Sequence, residues 1–167
     1  VGTRWALRVI VVVLLAVSGW PLVMAVVDEQ YARHQFPVLA DFETPFERYR
    51  WDNVPRTSEE SSTVRHGAKA MRVQLSTAKY SGIGLFHFPG NWQGFRTLHC
   101  SLFNPLATTL TIHCRIHDIH HKQHDSEYTD RFNLHIKLQP GWNDVVIDLQ
   151  QVWTAPKDRK MDAAHIE

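Results

Sequence analysis

Nineteen residues from Val9 to Val27 carry no charge, and that run decides which solvent the first part of the chain must fold in. As a helix rising about 1.5 Å per residue it is roughly 28 Å long, close to the ~30 Å of bilayer hydrocarbon. Arg4 and Arg8 precede the run, and Asp28 and Glu29 follow it. The positive-inside bias therefore predicts a single-pass helix over residues 5–27 with a cytoplasmic amino end and the rest of the chain delivered outside. The alternative is a cleaved secretory signal, with Val9–Ala16 as its apolar core and Val23, Met24 and Ala25 as a small-residue exit. Both readings place residues 28–167 beyond the membrane.

Composition narrows the rest. Setting aside Arg4 and Arg8 leaves 16 basic against 17 acidic residues, a balance with no electrostatic footprint for nucleic acid. Residues 28–36 read as a short polar linker. Residues 37–167 are enough for one domain with a core and too few for two comfortable ones. The chain starts on Val rather than Met, and Met161–Glu167 reads as the approach to a further strand, so truncation at the closing strand is expected.

After Phe36 the pattern is short apolar alternation punctuated by turn formers, which predicts an all-β antiparallel fold. Strands are expected at Val38–Glu43, Ala70–Leu75, Gly82–Phe88, Thr97–Phe103, Thr109–Asp118, Phe132–Leu138 and Asn143–Leu149. Long excursions separate them at Trp51–Val64 and Ile119–Arg131. Such an arrangement predicts a jelly-roll-type β-sandwich.

A strand turns every second side chain inward. Leu98, Cys100 and Leu102 form one such row; Leu110, Ile112, Cys114 and Ile116 another; Phe132, Leu134, Ile136 and Leu138 a third. Cys100 and Cys114 then point into the core, and their places along the strands favour two buried thiols over a disulfide. The opposite rows carry His99, Ser101, Thr111, His113, Arg115, His117, Asn133, His135 and Lys137. If these strands are neighbours, that face is either a solvated exterior or the lining of a groove for a hydroxyl-rich ligand, with His113, Arg115, His117 and His135 as contacts.

The segment from His117 to Asp130 is the most chemical-looking. His117, His120, His121, His124 and Asp125 are close enough to converge on a metal, but no zinc-hydrolase spacing is present, and a polar surface loop is the plainer reading. Asp118 and Asp130 bracket this loop. Paired with Arg131, either carboxylate would order it, and replacing Arg131 by leucine is expected to lower thermal stability.

Several stretches in order carry a resemblance: Val38–Glu43, Trp92–Phe95, Tyr128–Asn133, Pro140–Asn143, Ala155–Pro156 and Arg159–Asp162. Together they resemble the extracytoplasmic carbohydrate-binding-like domain of VanZ-like bacterial membrane proteins, and more broadly the galactose-binding-type jelly rolls. The resemblance implies a noncatalytic module on the bacterial cytoplasmic membrane that holds a glycan or cell-envelope polymer. It also implies a structural calcium site, for which Asp41, Glu43 and Asp162 are the candidate ligands. Sugars are bound by aromatic faces as well as hydrogen-bonders, so Trp51, Tyr80 and Tyr128, at loops or loop edges, join the candidate contacts. An assembly domain of a larger membrane protein is the alternative, and a metal-dependent hydrolase a remoter one, since no catalytic signature stands out.

Overall fold

A computed structural model describes residues 2–44, 46–52, 56–78 and 80–167. They fall into two compact units, Val1–Phe88 and Pro89–Glu167.

The first unit opens with helix α1, Gly2–Gln35. A valine-rich run has modest helix propensity in water, but in lipid every backbone N–H and C=O must be satisfied within the segment, and a helix does that. Its apolar side chains from Trp5 to Val27 are exposed, and it is long and apolar enough to cross a membrane. The Ser18 hydroxyl donates to the Leu14 carbonyl at 2.7 Å, so the one hydroxyl in the run stays satisfied.

The helix does not stop where its apolar run stops. Residues 28–35, expected as a linker, continue it for two more turns, held by partners distant in sequence. Arg50 Nε donates to Asp28 Oδ2 at 3.0 Å, Gln35 Nε2 to Glu47 Oε1 at 3.4 Å, and Ala32 is buried. Both Glu47 and Arg50 lie in a 3-10 turn, Glu47–Arg50, and both are buried. Burial raises the Glu47 carboxyl above its ordinary range, partly offset by the Asp41 N–H that it accepts.

Strands β1 (Thr57–Glu60) and β2 (Ala70–Val73) pair antiparallel. β1 was missed in the sequence, because its four residues Thr-Ser-Glu-Glu show no alternation. Two expected strands do not form. Val38–Glu43 is irregular, with Phe42 at φ 63°. Gly82–Phe88 contributes only an isolated bridge, Leu85 to Trp51.

The second unit holds β3 (Thr97–Asn104), β4 (Leu110–Ile116), β5 (Phe132–Leu138), β6 (Gly141–Asp148) and the short helix α2 (Leu149–Trp153). β3 pairs with β6 and β4 with β5, both antiparallel. The turns at both sheet changes are fixed by side chains. Asn104, buried, donates to the carbonyls of Thr108 (2.9 Å) and Leu138 (3.1 Å) and accepts the Leu106 N–H. Gly141, at φ 87°, follows Pro140 into β6, a backbone conformation that favours glycine. Asp148 caps α2 by accepting the Gln150 N–H at 2.9 Å, and Leu149 and Val152 are buried.

The expected rows hold in the main: Leu98, Ile112, Cys114 and Ile136 are more covered than their neighbours, Cys100, Leu102 and Leu134 are half-buried, and Ile116, Phe132, Leu138 and Ile147 are buried. The closing segment is fixed against the rest of this unit. Trp92 donates its N–H to the Ala163 carbonyl, Ile166 to Gly90 and Ile119 to His165.

Helix and strand make up 32% and 26% of the chain, so the whole is mixed rather than all-β. Among the described residues the strands form three two-stranded sheets, smaller than the sheets expected of a jelly roll. The single polar face also divides: His99 and Ser101 belong to β3–β6, His117 lies past the end of β4, and the other members belong to β4–β5.

Cys100 and Cys114 are free and half-buried. Burial pushes both thiols up, Cys114 to about 11 with a further push from Cys100. At pH 8 roughly one Cys114 in a thousand is thiolate. Alkylation by iodoacetamide at that pH should therefore be slow in the folded protein and fast in denaturant, read by mass spectrometry; equal rates would place the thiol in water.

Candidate functional site

The loop between β4 and β5 is closed by a buried charge cluster. Asp118, just after β4, is fully buried, and Asp130, just before β5, is 8% exposed. Arg159, from the segment after α2, reaches both. Its Nη1 and Nη2 meet the Asp118 oxygens at 2.5 and 2.8 Å, and its Nε and Nη2 meet those of Asp130 at 2.7 and 2.8 Å. One planar guanidinium thus makes two forked pairs, a geometry lysine cannot supply.

Asp118 also accepts the Asp162 N–H at 2.6 Å. Burial alone would raise its carboxyl, but the bonds from Arg159 and from the Asp162 N–H outweigh it and hold the group below its usual range. His121, buried, sets Nδ1 3.1 Å from the Asp130 carbonyl oxygen and 3.4 Å from its carboxylate, and donates there in the tautomer with the proton on Nδ1.

The cluster is a clamp: both carboxylates are turned toward Arg159 and N–H donors. Asp130 also lines, with Asp125, Glu127, Thr129, Lys157 and Asp158, an open depression of about 200 Å³, too shallow to exclude water. The sequence assigned the pairing to Arg131, but the arginine that bridges both acids is Arg159. Arg131 directs Nε to Asn133 Oδ1 at 3.0 Å and lies 5.2 Å from the centre of the Tyr128 ring.

The clamp fixes the end of a flat polar face. β4 and β5 are in register with Thr111 opposite Lys137, His113 opposite His135 and Arg115 opposite Asn133. All six side chains lie on the outer side, opposite the apolar row, and all but the partly covered Asn133 are exposed. The His113 and His135 rings meet edge to face at 3.9 Å. Asn133 Nδ2 donates to the Tyr128 carbonyl at 2.9 Å, so the face continues through Arg131 to the exposed Tyr128 ring.

The outer side of β3–β6 differs. The Phe103 and Trp142 rings meet edge to face at 5.2 Å, Val146 is exposed, and the Ser101 hydroxyl donates to Asp144 at 2.9 Å.

Of the expected contacts, His113, Arg115, His135 and Tyr128 come together on this face. His117 lies past the end of β4, half-buried, with its ring 4.9 Å from that of His121. Burial and then Arg115 lower its pKa. Trp51 and Tyr80 belong to the first unit. Trp51 is half-buried, 5.9 Å from the Phe42 ring, while Tyr80 is 86% exposed.

Among the described residues no three His, Cys, Asp or Glu side chains gather in a metal-holding group; the His124 side chain lies outside them. The calcium candidates are engaged by protein donors instead. Glu43 accepts the Ala68 and Lys69 N–H groups, Asp41 accepts the Glu43 N–H, and Asp162 accepts the Ala164 N–H and bonds His165 Nδ1 at 2.7 Å.

No protein-family model, curated protein or solved structure matches the chain.

Proposed function

We propose that this chain is a membrane-tethered, noncatalytic module that holds a carbohydrate or related cell-envelope polymer on the outer face of β4–β5. The observation that carries the reading is that face. Thr111, His113, Arg115, Asn133, His135 and Lys137 offer donors and acceptors in three registered rows, with an exposed aromatic ring at the end. Hydroxyl-rich polymers are recognised by such planar arrays, with an aromatic side chain covering the apolar side of a sugar ring.

On this reading α1 anchors the chain in the lipid of a bacterial cytoplasmic membrane, amino end inside, and the two sheets of the second unit belong to a jelly-roll-type module. The ordered stretches from Val38 to Asp162 that resemble VanZ-like carbohydrate-binding-like domains support the same assignment. The Arg159 clamp, with its acids already paired, supports binding over catalysis.

The test is co-sedimentation of the full chain, in neutral-detergent micelles, with insoluble cell-wall polysaccharide. Binding is expected in the wild type and should weaken at least roughly fivefold in a His113→Ala, His135→Ala, Tyr128→Ala variant that melts normally, since each lost contact is worth on the order of 0.5–1 kcal/mol. Absence of binding to any envelope polysaccharide would remove the proposal.

The edge-to-face Phe103–Trp142 pair and exposed Val146 on β3–β6 favour a second reading, assembly with another membrane protein through that side. Cross-linked partners at Val146, with no polymer binding, would establish it instead.

A further inference from the structure

We infer that the polymer held on the β4–β5 face is a polyanion, specifically a carboxylate-bearing polysaccharide, an inference that rests on the proposed binding role of that face. Neither β4 (LTIHCRI) nor β5 (FNLHIKL) contains an acidic residue. Arg115 and Lys137 stand exposed at opposite ends of the three rows. Among the described residues neither side chain has an ion-pair or hydrogen-bond partner. Rows on one side of a strand are about 6.7 Å apart, so these cations are separated by roughly 13 Å along the strands, enough to meet successive charges of an extended chain.

A third cation, a guanidinium, continues the line. Arg131 is already oriented by Asn133 and the Tyr128 ring, and a planar fork of this kind matches a carboxylate. The other sheet has the opposite sign: the outer row of β3–β6 carries Asp144 and Asp148 and no lysine or arginine. The acids near that end are bound up or lie beyond it: Asp130 is paired with Arg159 and Glu167 with Lys122, while Asp125, Glu127 and Asp158, with Asp130, line the shallow depression. A unit with this division of charge orients a polyanion on one face and repels it from the other.

The test uses the full chain reconstituted in phosphatidylcholine nanodiscs, with polygalacturonate as the anionic probe and dextran as the neutral one. Polygalacturonate should bind at least roughly tenfold tighter than dextran at low salt and lose that advantage near 0.5 M NaCl, where screening is nearly complete. Arg115→Gln and Lys137→Gln should each weaken it about threefold without changing the melting temperature, as expected for exposed charge contacts. Equal binding of both polymers, unmoved by either substitution, overturns the polyanion inference and leaves the binding module standing. No binding of either polymer or of envelope polysaccharide overturns both. Capture by phosphatidylglycerol vesicles without polygalacturonate binding also overturns the inference, by assigning the cations to lipid headgroups.

Discussion

Replacing Arg159 by leucine should lower the melting temperature of the second unit by roughly 12 °C or more. Asp118 is fully buried and Asp130 nearly so, and both forked pairs would vanish together. Removing one partner of a buried pair leaves an uncompensated charge and costs about 3–5 kcal/mol. For a unit of this size each kcal/mol is about 4–8 °C.

Arg159→Lys should fall between, because an ammonium keeps the charge and loses the forks. Arg131→Leu should lower the midpoint by only a few degrees, since Arg131 is partly exposed and serves Asn133 and Tyr128. The same clamp gives a pH signature. The Asp118 carboxyl is held below its ordinary 3.8, so its contribution is complete above that pH and lost as pH falls through the lower folded value. Wild-type stability should drop in that acid window, and the leucine variant should lack that part of the drop. Circular-dichroism melts from pH 2 to 7 read both effects, and an unchanged melting temperature in Arg159→Leu would remove the clamp from the account.

The second large effect concerns α1. Arginine at both Leu14 and Leu15 should move the chain out of the carbonate-resistant membrane fraction. Each arginine near a membrane-helix centre costs about 2.5–3.5 kcal/mol of insertion free energy, so the pair costs about 5–7. The wild-type run has mean hydropathy 2.6 over its best window and none of that window is buried in the protein. A mature chain beginning at Val26, found by amino-terminal sequencing, would instead make the run a removed signal.

What could be read in the sequence was whatever repeats at short range. The period-two rows of Leu98–Leu102, Leu110–Ile116 and Phe132–Leu138 are core rows in the folded unit, and Phe132–Leu138 has the strand limits its alternation implies. Turns at Asn104–Pro105 and Pro140–Gly141 were visible for the same reason: their residues are constrained locally.

What escaped depends on distant partners. The helical turns at residues 28–35 look like a linker until Arg50 and Glu47 are present to meet Asp28 and Gln35. β1 is polar throughout and becomes a strand only beside Ala70–Val73. Val38–Glu43 alternates well enough for a strand, yet its polar groups are met by its own acids and Glu47. The nearest arginine to Asp130 was the reasonable partner. The bridging one is 29 residues away, within the run Lys157–Lys160, and no local pattern distinguishes it.

The polar face proposed for binding was half legible. Its residues were identified by alternation, but their division between two sheets follows from pairing β3 with β6 and β4 with β5, which no short-range signal specifies.

Amide chemical-shift mapping of the labelled full chain during titration with polygalacturonate tests the account most directly. Shifts concentrated at Thr111–Arg115, Tyr128 and Arg131–Lys137 are the predicted result. Shifts confined to Thr97–Phe103 and Trp142–Asp148, in the other sheet, would contradict it.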